Sequence, residues 1–189
     1  MKKIIALSAA AIAMAAVSAP AAAQSGPTVD HELRGEVESI CGAFDFQDSP
    51  VLIDFGILSD VPVGQRTPEI VNGVTIVCNG LGGGTVNITS QNQGFMFLTG
   101  TSGGAAQQVG YVVRATGGSG LAFGETNLAS PVARPFNGSS AFVNGQSMTL
   151  RFAADGVLDE NAGAANQADR TTVFAGIYTD IVTVDVTAN

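Results

Sequence analysis

Apolar and charged residues alternate almost without interruption through positions 29–38. Val29, His31, Leu33, Gly35 and Val37 fall on one side of an extended chain, and Asp30, Glu32, Arg34, Glu36 and Glu38 fall on the other. Successive side chains of a strand point to opposite faces, so the stretch predicts a strand with one apolar and one charged face. Two other readings of the same residues stay open. One is an ordinary first strand paired within its own domain. The other is a helix: Val29, Leu33, Val37 and Ile40 recur at helical spacing and Pro27-Thr28 suits a helix start, with Gly35 weakening it by about 1 kcal/mol.

Further along, short β-rich runs recur between Gly, Asn and Ser clusters, and helix signals are scarce. Strands are predicted at 40–46, 51–55, 71–78, 85–89, 94–98, 110–115, 147–153 and 171–187. The separators carry turn chemistry: Asn79-Gly80, Gly82-Gly83-Gly84, Gly103-Gly104, Gly117-Gly118, Asn137-Gly138 and Asn144-Gly145. The pattern is that of an all-β sandwich or barrel. Within the last run, Val182, Val184 and Val186 share a face opposite Thr183 and Asp185, and the fold is expected to close on this strand. Tyr178 is expected inside the sandwich, with its hydroxyl bonded to backbone near a strand corner. Phe44, Phe46, Phe55, Phe95, Phe97, Phe142 and Phe152 are the aromatic core candidates. The polar stretch 155–170 reads as a long surface loop.

Composition changes the picture at the N-terminus. Lys2 and Lys3 precede an apolar run from 4 to 17, and Ala21-Ala22-Ala23 offers a cleavage pattern, so residues 1–23 read as an export signal. The apolar run is too short for a comfortable membrane span, and no membrane insertion of the mature chain is expected. Removing 23 residues leaves 166, enough for one domain with a real core. That remainder has no lysine, and six arginines face sixteen acids. Such a surface argues against nucleic acid as a partner. The chain has two cysteines, Cys41 and Cys78, which an exported protein is expected to join as a disulfide.

Catalytic chemistry finds little footing. His31 is the sole histidine, no nucleophile motif accompanies it, and no metal or other cofactor is expected. Asp155, Asp159, Glu160 and Asp169 raise the question of calcium, but their spacing does not match the helix-loop-helix calcium loop. A solvated acidic loop is the plainer reading. The glycines at 82–84 lack the lysine and helix of a phosphate loop.

The order of features nevertheless resembles a family. An amphipathic tail precedes a cysteine, then Asp54-Phe55-Gly56, then a second cysteine closing the β run 74–77. Much later come Ala175-Gly176-Ile177-Tyr178-Thr179-Asp180 and the alternating valines. This resembles the spore coat protein U-like domain of secreted bacterial proteins, a relative of chaperone–usher pilus subunits. The resemblance implies an incomplete, immunoglobulin-like (pilin-type) β-sandwich over 40–189, with a donor-strand extension at 24–39. It implies that the cysteine pair staples the first two strands. It also implies an apolar acceptor groove, which we place between the terminal strand with Val182, Val184 and Val186 and the early strand around Phe55. A periplasmic chaperone would fill that groove first. At an outer-membrane usher, the tail of the next identical or related subunit would replace it, giving a head-to-tail surface fibre for adhesion or biofilm formation. The alternative from a different class is a self-contained secreted β-sandwich that binds a surface glycan or stabilises an envelope coat.

Overall fold

The computed structural model describes residues 32, 34–44, 50–160 and 171–189. The chain separates into two units, Met1–Glu36 and Val37–Asn189. In the first, Glu32, Arg34, Gly35 and Glu36 are described and carry no regular secondary structure. The export-signal expectation for 1–23 lies outside the described residues.

Among its described residues the second unit is all-β apart from one helical turn and two short 3₁₀ turns. In chain order come β1 (Cys41–Phe44), β2 (Ile70–Cys78), β3 (Gly84–Ser90), β4 (Phe95–Leu98), β5 (Gln108–Gly117), β6 (Phe123–Thr126), β7 (Val132–Phe136), the helical turn α1 (Ser140–Val143), β8 (Gln146–Ala154), β9 (Tyr178–Thr179) and β10 (Val182–Ala188). The larger sheet runs β1-β2-β8-β5-β4-β9, with β6 also paired to β5. The smaller runs β10-β3-β7. Every ladder between these strands is antiparallel.

Alternation builds the core. Val74 and Ile76 of β2, Met148, Leu150 and Phe152 of β8, and Val109, Tyr111 and Val113 of β5 are buried from the larger sheet. Val86 and Ile88 of β3, Phe136 of β7 and Val186 of β10 meet them from the smaller one. Phe136 and Phe142 stack with ring centroids 4.0 Å apart. Two sheets over one apolar layer is sandwich architecture. Gly83, at φ +73°, turns the chain from β2 into β3 where a side chain would run into the Phe136 carbonyl.

Several sequence expectations need correction. The 171–187 run is not one strand; it bends through 172–176 and splits into β9 and β10 at Asp180 and Ile181. The 51–55 run joins no ladder among the described residues. Strands β6 and β7 were not predicted: Gly124 and Glu125 weaken the first, and Arg134-Pro135 disguises the second, since proline argues against a central strand. Three aromatic core candidates face elsewhere. Phe44 is 48% exposed at the end of β1. In β4 the pleat turns Met96 inward, leaving Phe95 and Phe97 on the other face and only partly covered. Phe142 and Phe152 are buried, Phe55 is half-buried, and Phe46 lies outside the described residues.

Candidate functional site

The outer edge of β10 is the most unusual surface of the domain. Gln91 N–H donates to the Ile181 carbonyl at 2.9 Å, and Asn189 N–H donates to the Gly83 carbonyl at 3.1 Å. With Thr183 opposite Thr89, Asp185 opposite Asn87 and Thr187 opposite Thr85, the odd-numbered residues of β10 form the bonded pairs with β3. Antiparallel ladders alternate, so the N–H and C=O groups of Val182, Val184 and Val186 point the other way. Among the described residues no strand pairs with that side. β1 passes close to β10 but forms no ladder with it.

The same three valines turn their side chains to the core. Val186 is buried, and Val182 and Val184 are half-buried against the core cluster. Thr183, Asp185 and Thr187 face solvent. β10 thus combines an apolar face only partly covered with backbone groups left unpaired.

A second stretch shares these properties. Residues 51–55 alternate in cover: Val51, Ile53 and Phe55 are half-buried, whereas Leu52 is 84% exposed and Asp54 is exposed. Ile53 and Phe55 pack against the same core as Val182 and Val184. Among the described residues the backbone of 51–55 has no backbone hydrogen-bond partner. The Asp54 carboxylate accepts the Gly56 N–H at 2.9 Å and turns the chain there. The segment has a strand's side-chain alternation without a ladder. Among the described residues, Leu52, Ile57 and Ile181, within or beside these two stretches in sequence, are large apolar residues left exposed.

What holds β10 in place is a polar knot at its start. The Asp180 carboxylate accepts from Tyr111 Oη and Ser90 Oγ, each at 2.6 Å, on one oxygen. Its other oxygen accepts from Asn92 N at 3.0 Å and Ile181 N at 2.8 Å. Ser90 Oγ in turn accepts the Gly94 N–H at 2.7 Å, and Asn92 Nδ2 donates to the Thr179 carbonyl at 3.2 Å. The knot ties β9, β10, β3 and β5 together at the corner where the chain leaves one sheet for the other. Burial, with the Asp180 carboxylate as its acceptor, pushes the Tyr111 hydroxyl well above the ordinary tyrosine range. The sequence pattern held a clue: Asp180 has the same parity as Tyr178, Val182 and Val184, so it is a carboxylate on the apolar side of a strand. Tyr178 itself is half-buried, and its hydroxyl donates to the Phe174 carbonyl at 2.6 Å.

The remaining candidates fall as follows. Cys41 and Cys78 form a disulfide between directly opposed residues of β1 and β2. Of the tail residues, Val29, His31 and Leu33 lie outside the described residues; Gly35 is exposed without regular structure, and Val37 is 87% exposed. Asp155 is engaged by Arg66 at 3.0 Å, while Arg66 also pairs with Glu125 at 2.6 Å. Asp169 lies outside the described residues. Arg114 grips both oxygens of Glu69 at 2.6 Å, which holds the Glu69 carboxyl below its usual range.

No protein-family model matches this chain, and no curated protein matches it. The arrangement itself offers an edge that can accept a strand, since hydrogen-bonding groups and a partly covered apolar face are presented together.

Proposed function

We propose that this protein is an exported structural subunit of a surface fibre, joined head to tail by strand donation. The donor is the 24–39 extension, with Val29, His31, Leu33, Gly35 and Val37 as its inward face. The acceptor is the open side of β10, with Val182, Val184 and Val186, together with Phe55 of the early segment 51–55. On this reading the sandwich is of the incomplete, pilin-type immunoglobulin class. A periplasmic chaperone and an outer-membrane usher handle the subunit before it joins a fibre.

One observation carries the reading: among the described residues β10 has an unpaired row of backbone groups while Val182, Val184 and Val186 pack toward the core. Exposed edges of this kind invite other chains and are normally blunted. Burying Val29, Leu33 and Val37 contributes about 1.5–3 kcal/mol per side chain before ordering costs. Each new ladder bond adds roughly 0.5–1.5 kcal/mol net. A head-to-tail contact of this kind does not close on itself, so it propagates.

The test compares the mature chain with a variant lacking 24–39. The mature chain is expected to form polymers by light scattering. The shortened variant is expected to stay monomeric and to gain thermal stability when a peptide spanning 28–38 is added. A shortened monomer that ignores the peptide and already protects the Val184 amide from exchange would sink the reading and favour a self-contained binding module.

A further inference from the structure

The chain just ahead of β1 is gripped in an unusual way. Cys41 stands opposite Cys78, so Ile40 comes opposite Asn79 as the two strands part. Asn79 N–H donates to the Ile40 carbonyl at 3.1 Å, as a ladder would require. The return bond is not made to the Asn79 carbonyl. Ile40 N–H donates instead to Asn79 Oδ1, at 2.7 Å. The other end of the same side chain, Nδ2, donates to the Glu38 carbonyl at 2.8 Å. One amide side chain therefore continues the pairing two residues upstream, where β2 has already ended.

The partner strand has ended because the chain turns at once. Gly83 N–H bonds the Gly80 carbonyl at 3.0 Å, closing the turn that follows Asn79. Gly80 leaves room for the clamped stretch: a Cβ there would come within 3.1 Å of Ser39 Oγ. An asparagine suits this position because it carries a donor and an acceptor on one planar group. Aspartate keeps only the acceptor, and alanine keeps neither.

We propose that Asn79 is a positioning residue that holds 38–40 in line with β1 and so disfavours folding of the N-terminal arm back onto its own chain. This rests on the subunit reading. An arm of alternating residues and an open β10 edge on one molecule pose a problem, because the nearest acceptor is the chain's own. Linked partners meet at high effective concentration, provided the linker can turn back. β1 itself passes close to β10, so an arm laid along that edge would have to double back on β1, and the residues where it would turn are those Asn79 holds. The clamp thus favours donation to a second copy over self-filling.

The experiment uses the full mature chain with its disulfide formed, and compares wild type with Asn79→Ala and Asn79→Asp. Amide exchange reads the clamp directly. The Ile40 amide should exchange about tenfold faster in Asn79→Ala, the size expected for one lost hydrogen bond. In Asn79→Asp it should stay near wild type, since Oδ1 remains. Light scattering reads the consequence: the polymer fraction should drop severalfold in Asn79→Ala, replaced by monomers that refuse the 28–38 peptide. Gly80→Ala, which crowds Ser39 without touching Asn79, should shift the balance the same way. Unchanged Ile40 exchange in Asn79→Ala overturns the clamp. Faster exchange with an unchanged polymer fraction overturns its directing role. A wild type that never polymerises, with Ile40 still responding, overturns the subunit reading and leaves only the local hydrogen bonds standing.

Discussion

The small sheet has two outer strands, and they are built on opposite principles. In β7, Val86 of β3 stands opposite Arg134, and the even-numbered residues of β3 are those that bond to this side. The outward backbone positions of β7 are therefore Ala133 and Pro135. Pro135 sits where its missing N–H costs no ladder bond and removes a donor from the edge. Arg134 reaches the Gly120 carbonyl through two nitrogens at 3.0 and 3.1 Å, covering the flank further. In β10 the outward positions are three valines, with no proline and no basic residue on the strand. One edge is closed by composition and the other is left open. Edge exposure thus differs residue by residue between the two outer strands: β7 carries a proline at an outward position and β10 does not.

The comparison can be broken in several ways. The largest effect is expected from Asp180→Ala, which strips four donors of their acceptor at the root of β10. Orphaning a donor costs about 1–3 kcal/mol where water cannot replace the acceptor, and the loss should appear in urea unfolding. Amides of β10 are expected to lose protection before those of β7. Next comes Val184→Pro, which gives β10 the device β7 already has. It deletes the middle outward N–H, so the peptide 28–38 should no longer bind, while the domain stays folded at a cost of about 1–3 kcal/mol. Val184→Ala is the control: similar loss of burial, with peptide binding weakened but retained.

The reverse exchange sharpens the contrast. Pro135→Val opens the second edge, and the expected result is lateral clumping seen as rising turbidity, with little change in the melting temperature. A smaller effect concerns pH. Tyr111 stays protonated in the fold, whereas the unfolded chain releases that proton above about pH 10. The folded value is the higher one, so the contribution is complete below that pH and is lost as pH rises further. Tyr111→Phe should flatten this alkaline decline. The smallest effect is on the exposed face. Glu69 is held ionised by Arg114, so its contribution is lost as pH falls through the carboxylate range, and Glu69→Gln should remove only a slight acid sensitivity.

Much of the fold was legible from alternation alone. β3 reads clearly because Val86 and Ile88 alternate with Thr85, Asn87 and Thr89, and β2, β5 and β8 because β-branched or large residues recur at every second position between turn signals. The all-β class and the cysteine pairing followed from turn chemistry and an even count. What stayed hidden has physical causes. β7 is disguised by the proline and arginine that suit it to an edge. Residues 51–55 look like a strand because their side chains alternate, yet pairing is a property of a neighbour and leaves no mark in the segment itself. The break at Asp180 escaped because its inward parity gains meaning only once its partners are known, and Tyr111 and Ser90 are distant in sequence. Asn79 looked like half of an Asn-Gly turn, and its second task, gripping 38–40, depends on the register of two strands.

The covalent link between β1 and β2 has a mechanical consequence. β1 is only four residues long, and a ladder so short peels easily when tension is applied at one end. Any pull arriving through the N-terminal arm meets the sulfur bridge at the first of those four pairs, Cys41 opposite Cys78, before it meets the other three. The force crosses into β2, seven of whose nine residues pair with β8 in the middle of the larger sheet. A domain tethered this way yields by shearing long strands past one another instead of unzipping a short one.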